Sequence, residues 1–421
     1  MLMNFNQMIL LIGTNPLPNY VVAEYFLKHN NNLKNIWLVH SGKAGRQEGT
    51  LTQAENLEKV LKKRHEERLS FPLSKVALSD VSNAQKIFRD IKEKLIQKLP
   101  SNGSIHLNYT GGTKVMGTHV YRVLEQEKGF AKSFSYLDGR NFQIVDDQNE
   151  IISRKDLREE IFITFEELIN LHGFKRKNKD EDIKLPKAVE TFRKFLTDNR
   201  LDEYYRSDGG YNRTLFENKN KSGELAEKTS DLKEDAKQYI AKVVFLSVME
   251  GLPEEYRLFN RDGSFSVEVE NGHCKRGLKF LDGGWLEDYA YLTLRDNLKD
   301  DSITIEKDWE INKEAWRTNF QIDVILLKGY QLIGISCTTS EKKAECKNKG
   351  FEIIHRTRQI GGDEAKGVLI TRLNNEQKEV LKEELMINTG ITLANILVLG
   401  KDDLKEDVFV RKIRDFIHQE A

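Results

Sequence analysis

The chain reads as an α/β protein in two parts, a mostly parallel, doubly wound sheet domain followed by a helical connector and a second, mixed α/β domain. Three observations predict this. Short apolar runs alternate with helix-length amphipathic segments through residues 1–150, the signature of a parallel sheet covered on both faces. Residues 151–275 lose that alternation and turn polar, with a Gly-bearing insertion near 206–237. Residues 276–421 resume it with a helix, a long hairpin and two further strands. At 421 residues the chain exceeds what a single hydrophobic core usually serves.

In the first domain, Met8–Gly13 is a buried strand, and a helical pattern follows from Asn19 to Leu27. Strands at Asn35–Ser41 and Ser74–Leu78 flank a charged helix from Thr52 to Glu67. Asp80 or Ser82 caps the next helix, which runs to Leu99. The Ile105–Tyr109 strand, a helix from Thr113 to Gln126, and an Asp138-Gly139 hairpin between Phe134–Leu137 and Asn141–Val145 complete the domain. In the connector, Ile151–Gly173 has helical spacing, with His172 as a C-terminal cap, and Leu185–Asn199 and Tyr239–Met249 are further helices. The second domain has a helix opening after Gly283-Gly284 and strands at Ser302–Ile305 and Trp309–Ile311. The strands Asn319–Leu327 and Gln331–Cys337 are joined at Lys328-Gly329-Tyr330. A basic segment spans Lys342–Arg358, followed by strands at Gly367–Thr371 and Ile396–Leu399 and a last helix from Leu404 to Ile417.

Sixty-six Lys and Arg balance 66 Asp and Glu, so no global field draws the chain to nucleic acid or to a membrane. Any phosphate contact must come from a local patch. Three cysteines without C-x-x-C spacing make a poor disulfide framework and point to a reducing, cytoplasmic compartment. The apolar run Met8–Ile12 lacks the basic flank of a signal peptide, and no segment has the apolar length of a bilayer span.

The chemistry of the first domain gathers at strand C-termini. Thr110-Gly111-Gly112-Thr113-Lys114 breaks a strand and opens a helix, so free N–H groups and the positive end of a helix dipole meet a backbone bare of Cβ atoms. The same residues also describe an ordinary strand-to-helix turn with Thr113 as N-cap. Gly13-Thr14-Asn15-Pro16 and Ser41-Gly42 follow two other strands, and in a doubly wound sheet all three loops line one edge. Neither the Walker spacing nor G-x-G-x-x-G is present, and no acid ends the second strand to hold a dinucleotide ribose.

Gly13-Thr14-Asn15-Pro16 and Asn108-Tyr-Thr-Gly-Gly-Thr-Lys-Val-Met116 resemble the two signature loops of CARF domains, the Rossmann-like cyclic-oligoadenylate sensors of type III CRISPR defence. The resemblance implies a homodimer with a ring-shaped activator on its two-fold axis, a tetra-adenylate ahead of a hexa-adenylate. It implies contacts from Gly13, Thr14, Asn15, Pro16, Ser41, Gly42, Thr110, Gly111, Gly112, Thr113 and Lys114.

In the second domain, a turn centred on Gly329-Tyr330 sets Asp323 across from Ser336 and Gln321 across from Thr338. A carboxylate on an otherwise apolar strand is costly unless it is paired or holds a cation. Asp323 is therefore a hard-cation candidate, with Glu287 arriving from the preceding helix; an alternative is a strand-edge residue bonded to backbone. Lys347, Lys349, His355, Arg356 and Arg358 form the best local candidate for phosphate contact, though a solvated helix face fits equally.

Gly283-Gly-Trp-Leu-Glu287, Ile322-Asp-Val324 and Ile335-Ser-Cys-Thr-Thr339 resemble the restriction-endonuclease-like PD-(D/E)xK domain of CARF-fused nucleases. The resemblance implies a metal-dependent endonuclease, a phosphodiester hydrolase using Mn²⁺ or Mg²⁺ held by Asp323 and Glu287, acting on DNA and by extension RNA. The chain departs from the pattern in three places: Gln321 stands where the family carries Glu, and Ser336 and Thr338 stand where it carries the acid and the Lys. Lys342 or Lys343 would have to reach back to supply the cation, and Glu341 or Glu345 a ligand. The alternative to a nuclease is an attenuated sensor that binds nucleic acid or a partner without cutting.

Overall fold

The computed structural model describes residues 4–43, 48–101, 103–153, 155–177, 186–205, 211, 213–232, 248, 250–251, 257, 273–313 and 319–418. The helix expected at Tyr239–Met249, apart from the helical and buried Val248, and both ends of the 206–237 insertion lie outside these residues.

The first sheet is built from β1 (Gln7–Ile12), β2 (Asn35–Ser41), β3 (Ser74–Leu78), β4 (Ser104–Asn108), β5 (Ala131–Asp138) and β6 (Gln143–Asp146), in the order β3-β2-β1-β4-β5-β6. All neighbours are parallel except the β5–β6 hairpin. β1 is buried along its whole length because it is central and covered on both faces, which is why it reads as an unbroken apolar run. Its Ile9 and Leu11 pack under α3 (Ala84–Lys94) and α4 (Lys114–Gln126), while Met8, Leu10 and Ile12 face α1 (Leu17–His29) and α2 (Leu51–His65). Asn83, rather than Asp80 or Ser82, caps α3 by accepting from the Lys86 N–H. The strand order reverses between β1 and β4, so the loops after these two strands open side by side.

The second sheet runs β14-β13-β12-β11-β10-β7, where β7 is Lys175–Arg176, β10 Ile303–Asn312, β11 Asn319–Lys328, β12 Gln331–Cys337, β13 Lys366–Ile370 and β14 Ile396–Leu399. The hairpin register pairs Lys328 with Gln331 and Val324 with Ile335, as the Gly329-Tyr330 turn predicts. One face packs against the helices Pro186–Thr197, Trp285–Asn297 and Glu406–His418. The other packs against the helices Lys343–Gly361 and Asn375–Thr389.

Four sequence expectations are corrected. Ile151–Gly173 is not one helix: Ile151 forms an isolated antiparallel bridge with Val145 of β6, a 3₁₀ turn follows at Leu157–Glu159, and the α-helix starts only at Phe165. A Thr164/Glu167 capping box restarts it there. The strands expected at Ser302–Ile305 and Trp309–Ile311 are one strand, β10, which passes through a positive φ of 56° at Asp308 without breaking. Within the polar insertion, β8 (Glu217–Asn218) and β9 (Lys221–Leu225) form a hairpin, and Tyr211, Phe216, Leu225 and Leu232 are buried in the core of the second domain. The helix Asn375–Thr389 went unread, although an Asn374/Gln377 capping box and a left-handed Gly390 mark its ends.

The two halves share a core. Apolar residues of β1 and α1 form one continuous cluster with Phe320, Ile322, Ile325, Leu327 and Leu332 of the second sheet. This explains why α1 is apolar almost all round: it lies between two layers instead of on a surface.

Candidate functional site: a glycine cradle and a buried acidic centre

The first site forms where β4 turns into α4. A cavity of about 570 Å³ is lined by Tyr109, Thr110, Gly111, Gly112, Thr113, Lys114, Gly117, Thr118 and Tyr121. The glycines are dictated by space and by backbone angle. A Cβ on Gly111 would collide with the Leu11 carbonyl and the buried Asn19 side chain, which itself donates to that carbonyl at 3.0 Å. Gly112 has φ +75°, a conformation that L side chains rarely adopt. A Cβ on Gly13 would stand 3.0 Å from the Gly112 nitrogen, so the β1 loop supports the cradle from beneath.

The polar groups of the loop hold its shape. Thr113 is the N-cap of α4, accepting from the Met116 N–H at 3.2 Å. Thr110 Oγ1 accepts from the Leu137 N–H at 2.6 Å, and Asn108 bonds both the Thr110 N–H and Ser135. The ordinary N-cap and the open cradle therefore coexist. Sequence reading missed Tyr109, Gly117, Thr118 and Tyr121, although Lys114, Gly117, Thr118 and Tyr121 have the spacing of one helix face.

The remaining loop residues sit apart from this cavity. Ser41 exchanges hydrogen bonds with Thr50, whose hydroxyl donates to the Ile12 carbonyl, and the Gly42 N–H donates to Leu78. Asn15 turns toward the second domain. Its Oδ1 accepts from the Leu17 N–H at 3.1 Å and lies 3.1 Å from Nε2 of His172, and its amide packs against Gly362. His172 also caps its helix, with Nδ1 3.0 Å from the Leu168 carbonyl, and burial pulls its pKa down to about 4. Arg158 spans the same seam, lying over Phe142 and donating to Gln331 at 2.8 Å.

The second site forms where β11 and β12 part. Their ladder ends at Val324–Ile335, and one residue further the Asp323 side chain fills the fork. Its Oδ2 accepts from the Cys337 N–H at 2.8 Å and from the Ser336 hydroxyl at 3.2 Å. Oδ1 has no hydrogen bond among the described residues. Burial raises the Asp323 pKa against the opposing pull of the Cys337 N–H, Lys349 and Ser336. Glu287, in the first turn of the Trp285–Asn297 helix, has its pKa raised well above the ordinary range by burial and then by Asp323 and Asp308. It makes no hydrogen bond or ion pair among the described residues. Cys337 is no nucleophile, since burial and both carboxylates push its thiol well up.

Asp308 is the acid that sequence reading missed. It lies opposite Asp323 on β10, between the ladder pairs Lys307–Val324 and Trp309–Ile322. Gln321, read as a lost acid, donates to Asp308 at 3.1 Å and so holds a carboxylate in place. The signal was present as a polar Lys307-Asp308 interruption in a strand pattern.

The expected helpers are engaged elsewhere. Lys342 pairs with Glu345 at 3.0 Å, and Lys343 pairs with Glu384 at 2.7 Å. Glu341 binds Arg372, and Thr338 accepts from the Ser340 N–H in the turn after β12. Of the residues carried over from the motif, the fork brings together Asp323, Ser336 and Glu287.

The donors were weighed for a divalent cation. Among the described residues no three His, Cys, Asp or Glu side chains are gathered as a metal site. The unpartnered Glu287 carboxylate and the open Oδ1 of Asp323 nevertheless suit a hard cation that keeps most of its water shell.

Residues 8–167 match the family model of the Card1 CARF domain, and residues 274–404 match that of the Card1-like endonuclease domain. No curated protein sequence matches the chain. Can2 from Sulfobacillus thermosulfidooxidans, solved in complex with cyclic tetra-adenylate, is similar in fold with a TM-score of 0.62 at 15% identity, over 97% of this chain and 99% of that one. The protein VC1899 from Vibrio cholerae gives a TM-score of 0.65 at 14% identity, over 98% of each chain. No helix among the described residues is long and apolar enough to cross a membrane. With the two family models spanning well over half of its length, the chain belongs to the proteins that join a Card1 CARF domain to a Card1-like endonuclease domain.

Proposed function

We propose that this protein is a cyclic-oligoadenylate-activated, metal-dependent nuclease of type III CRISPR defence, working as a homodimer and cleaving DNA, with RNA as a second substrate. The observation that carries the reading is the pair of carboxylates in the endonuclease domain. Glu287 is half-buried and has no partner among the described residues, and Asp323 presents an unbonded oxygen beside it. Such a pair is an electrostatic liability that a cation relieves.

Asp323 and Glu287 would hold Mg²⁺ or Mn²⁺, which when bound neutralises charge at the scissile phosphate and makes water a better nucleophile. The Cys337 N–H and the Ser336 hydroxyl fix one oxygen of Asp323 and so orient the other. Gln321 holds Asp308 close enough to add negative field. In the first domain, the cradle's glycines admit a phosphodiester to the backbone, Lys114 offers a cation, and Tyr109 and Tyr121 offer ring faces to adenine. The cyclic tetra-adenylate of the Can2 complex makes that ring the first activator to test.

A second reading, a sensor that binds without cutting, is favoured by Ser336 and Thr338 at the positions of the motif's acid and lysine. One assay separates them. The protein is incubated with labelled DNA and RNA, Mg²⁺ or Mn²⁺, and cyclic tri-, tetra- and hexa-adenylate. Cleavage that needs both the cation and one ring is the expected result. Ring binding with intact nucleic acid throughout would establish the second reading.

A further inference from the structure

We propose that Lys349 is the catalytic cation of this nuclease centre, delivered from the Lys343–Gly361 helix in place of the strand lysine that Thr338 displaces. The inference rests on the nuclease reading and names a residue for it.

The packing of the helix fixes where Lys349 stands. The helix runs antiparallel to β12. Near its start Cys346 Sγ lies 3.4 Å from the Ser340 carbonyl. Further on, Ile353 and Thr357 close over Gly334, where a Cβ would stand 3.1 Å from Ile353 and collide with Thr357. At its end Gly361 lies against Leu332. Lys349 falls between Cys346 and Ile353, three residues after one and four before the other, so it stands on the same side of the helix while staying solvent-exposed. The stretch of β12 beneath that turn lies between Gly334 and Ser340 and holds Ser336 and Thr338. The same stripe, two turns on, carries Arg356, whose guanidinium lies 4.4 Å from the Phe320 ring centre on β11. The stripe therefore overhangs the β11–β12 fork that Asp323 fills. Electrostatics agrees, because Lys349 favours the charged form of Asp323 and of the Cys337 thiol.

Its neighbours are committed elsewhere. Lys343 and Lys347 both pair with Glu384 at 2.7 and 2.9 Å, and Arg358 reaches Asp363. Among the described residues Lys349 has only a 4.0 Å contact to Glu352, and its side chain is 47% exposed. Its ammonium is thus within electrostatic reach of the acidic fork and still open to a phosphate.

In the hydrolysis, a water oxygen forms a bond to phosphorus and releases its proton to solvent. The P–O bond to the leaving sugar oxygen breaks, and that oxygen keeps the electron pair and takes a proton from water. Negative charge grows on the non-bridging oxygens between these events, and a fixed ammonium there is worth most in the transition state. Lys349 supplies charge alone and exchanges no proton in the step.

The test compares wild type, Lys349→Met, Lys349→Gln, Lys349→Arg and Lys349→Met/Thr338→Lys in single-turnover cleavage with activator and Mn²⁺, alongside oligonucleotide affinity measured by anisotropy without metal. Loss of one charge-stabilising donor is expected to lower the rate by about 10²-fold or more in the Met and Gln variants. Affinity should fall far less, Arg should retain most of the rate, and lysine restored on the strand should recover at least about tenfold of what Met lost. A Met or Gln rate within about twofold of wild type overturns the assignment and leaves the nuclease reading standing. So does a rate loss matched by an equal affinity loss without rescue, which would make Lys349 a phosphate tether. A wild type that never cuts, under any ring or metal, removes the nuclease reading itself and this assignment with it.

Discussion

The two sites of this chain are built on opposite principles. The cradle of the first domain is backbone and small side chains, with Lys114 as the one fully charged group in its lining, and its hydroxyls are occupied in holding the loop. It is shaped before any ligand arrives, as the anionic ring of the proposed function would require. The centre of the second domain gathers carboxylates in a buried fork, with one of them unpartnered. Crowding and burial raise the carboxylate pKa values there before any ligand arrives, a strain that the cation of the proposed function would relieve. Geometry limits the first site, and electrostatics limits the second.

The sharpest way to break that contrast is to neutralise the second site without changing its shape. Asp323→Asn keeps an acceptor for the Cys337 N–H and removes the charge. Metal-dependent cleavage should fall by about 10³-fold or more, with activator affinity unchanged and the melting temperature no lower than wild type. Cleavage at the wild-type rate would place the centre elsewhere, and a loss of folding would make Asp323 structural.

The cradle should respond to shape as well as to charge. Lys114→Ala is expected to weaken ring binding by about tenfold while leaving the thermal transition unchanged, because one exposed charge–phosphate contact contributes roughly 1–2 kcal/mol. Gly112→Asp should remove binding and also lower stability, since φ is +75° and Leu11 and Met116 crowd the added Cβ at 3.2–3.3 Å. The left-handed backbone at Gly112 separates the two variants. Calorimetry on each, with melting curves, checks the split.

A smaller effect is expected where the two principles meet. Asn15 belongs to a loop of the first domain yet touches His172 and Gly362, at the foot of the helix that carries Lys349. Asn15→Ala should cost about 1 kcal/mol of stability through its lost bond to the Leu17 N–H. It should also lower ring-stimulated cleavage several-fold more than ring affinity. Equal losses in both would make Asn15 a simple ligand contact.

How much of this was legible in sequence follows the same contrast. The cradle could be read because its requirements are local: a Gly-Gly pair, an N-capping Thr and a preceding strand are all contiguous. The hairpin register was readable for the same reason, and it set Asp323 beside Ser336 correctly. What could not be read was non-local. Asp308 joins the centre only because β10 lies against β11, and Gln321 looked like a loss until its partner across the ladder was visible. Lys342 and Lys343 were nearest in sequence, but Lys342 pairs with Glu345 and Lys343 with Glu384, partners outside the centre. The connector was misread because Leu157, Ile161, Phe165, Leu168 and Leu171 are all buried in one core cluster, and their three- and four-residue spacing imitates a single helix.

The finest test asks whether burial itself, irrespective of sign or function, sets the strain in the second domain. Lys366, at the start of β13, is fully buried and donates to the Phe416 carbonyl at 2.8 Å. Burial, with Arg158 and Lys328 nearby, pulls its pKa from 10.5 down to about 8. Below pH 8 both folded and unfolded chains hold the proton, so the full cost of the buried charge is present. Between about 8 and 10.5 the unfolded chain holds more protons, and stability rises with pH through that window. Lys366→Met should therefore raise the melting temperature by a few degrees at pH 7, less whatever the unpaired Phe416 carbonyl loses. The advantage should shrink steadily through that window and level off above about pH 10.5, where the unfolded chain loses the proton as well. Melting curves of the two proteins between pH 7 and 10.5 decide it. A gap that stays constant with pH would show that packing, and not charge, separates them, and the electrostatic half of the comparison would then hold only at the carboxylates.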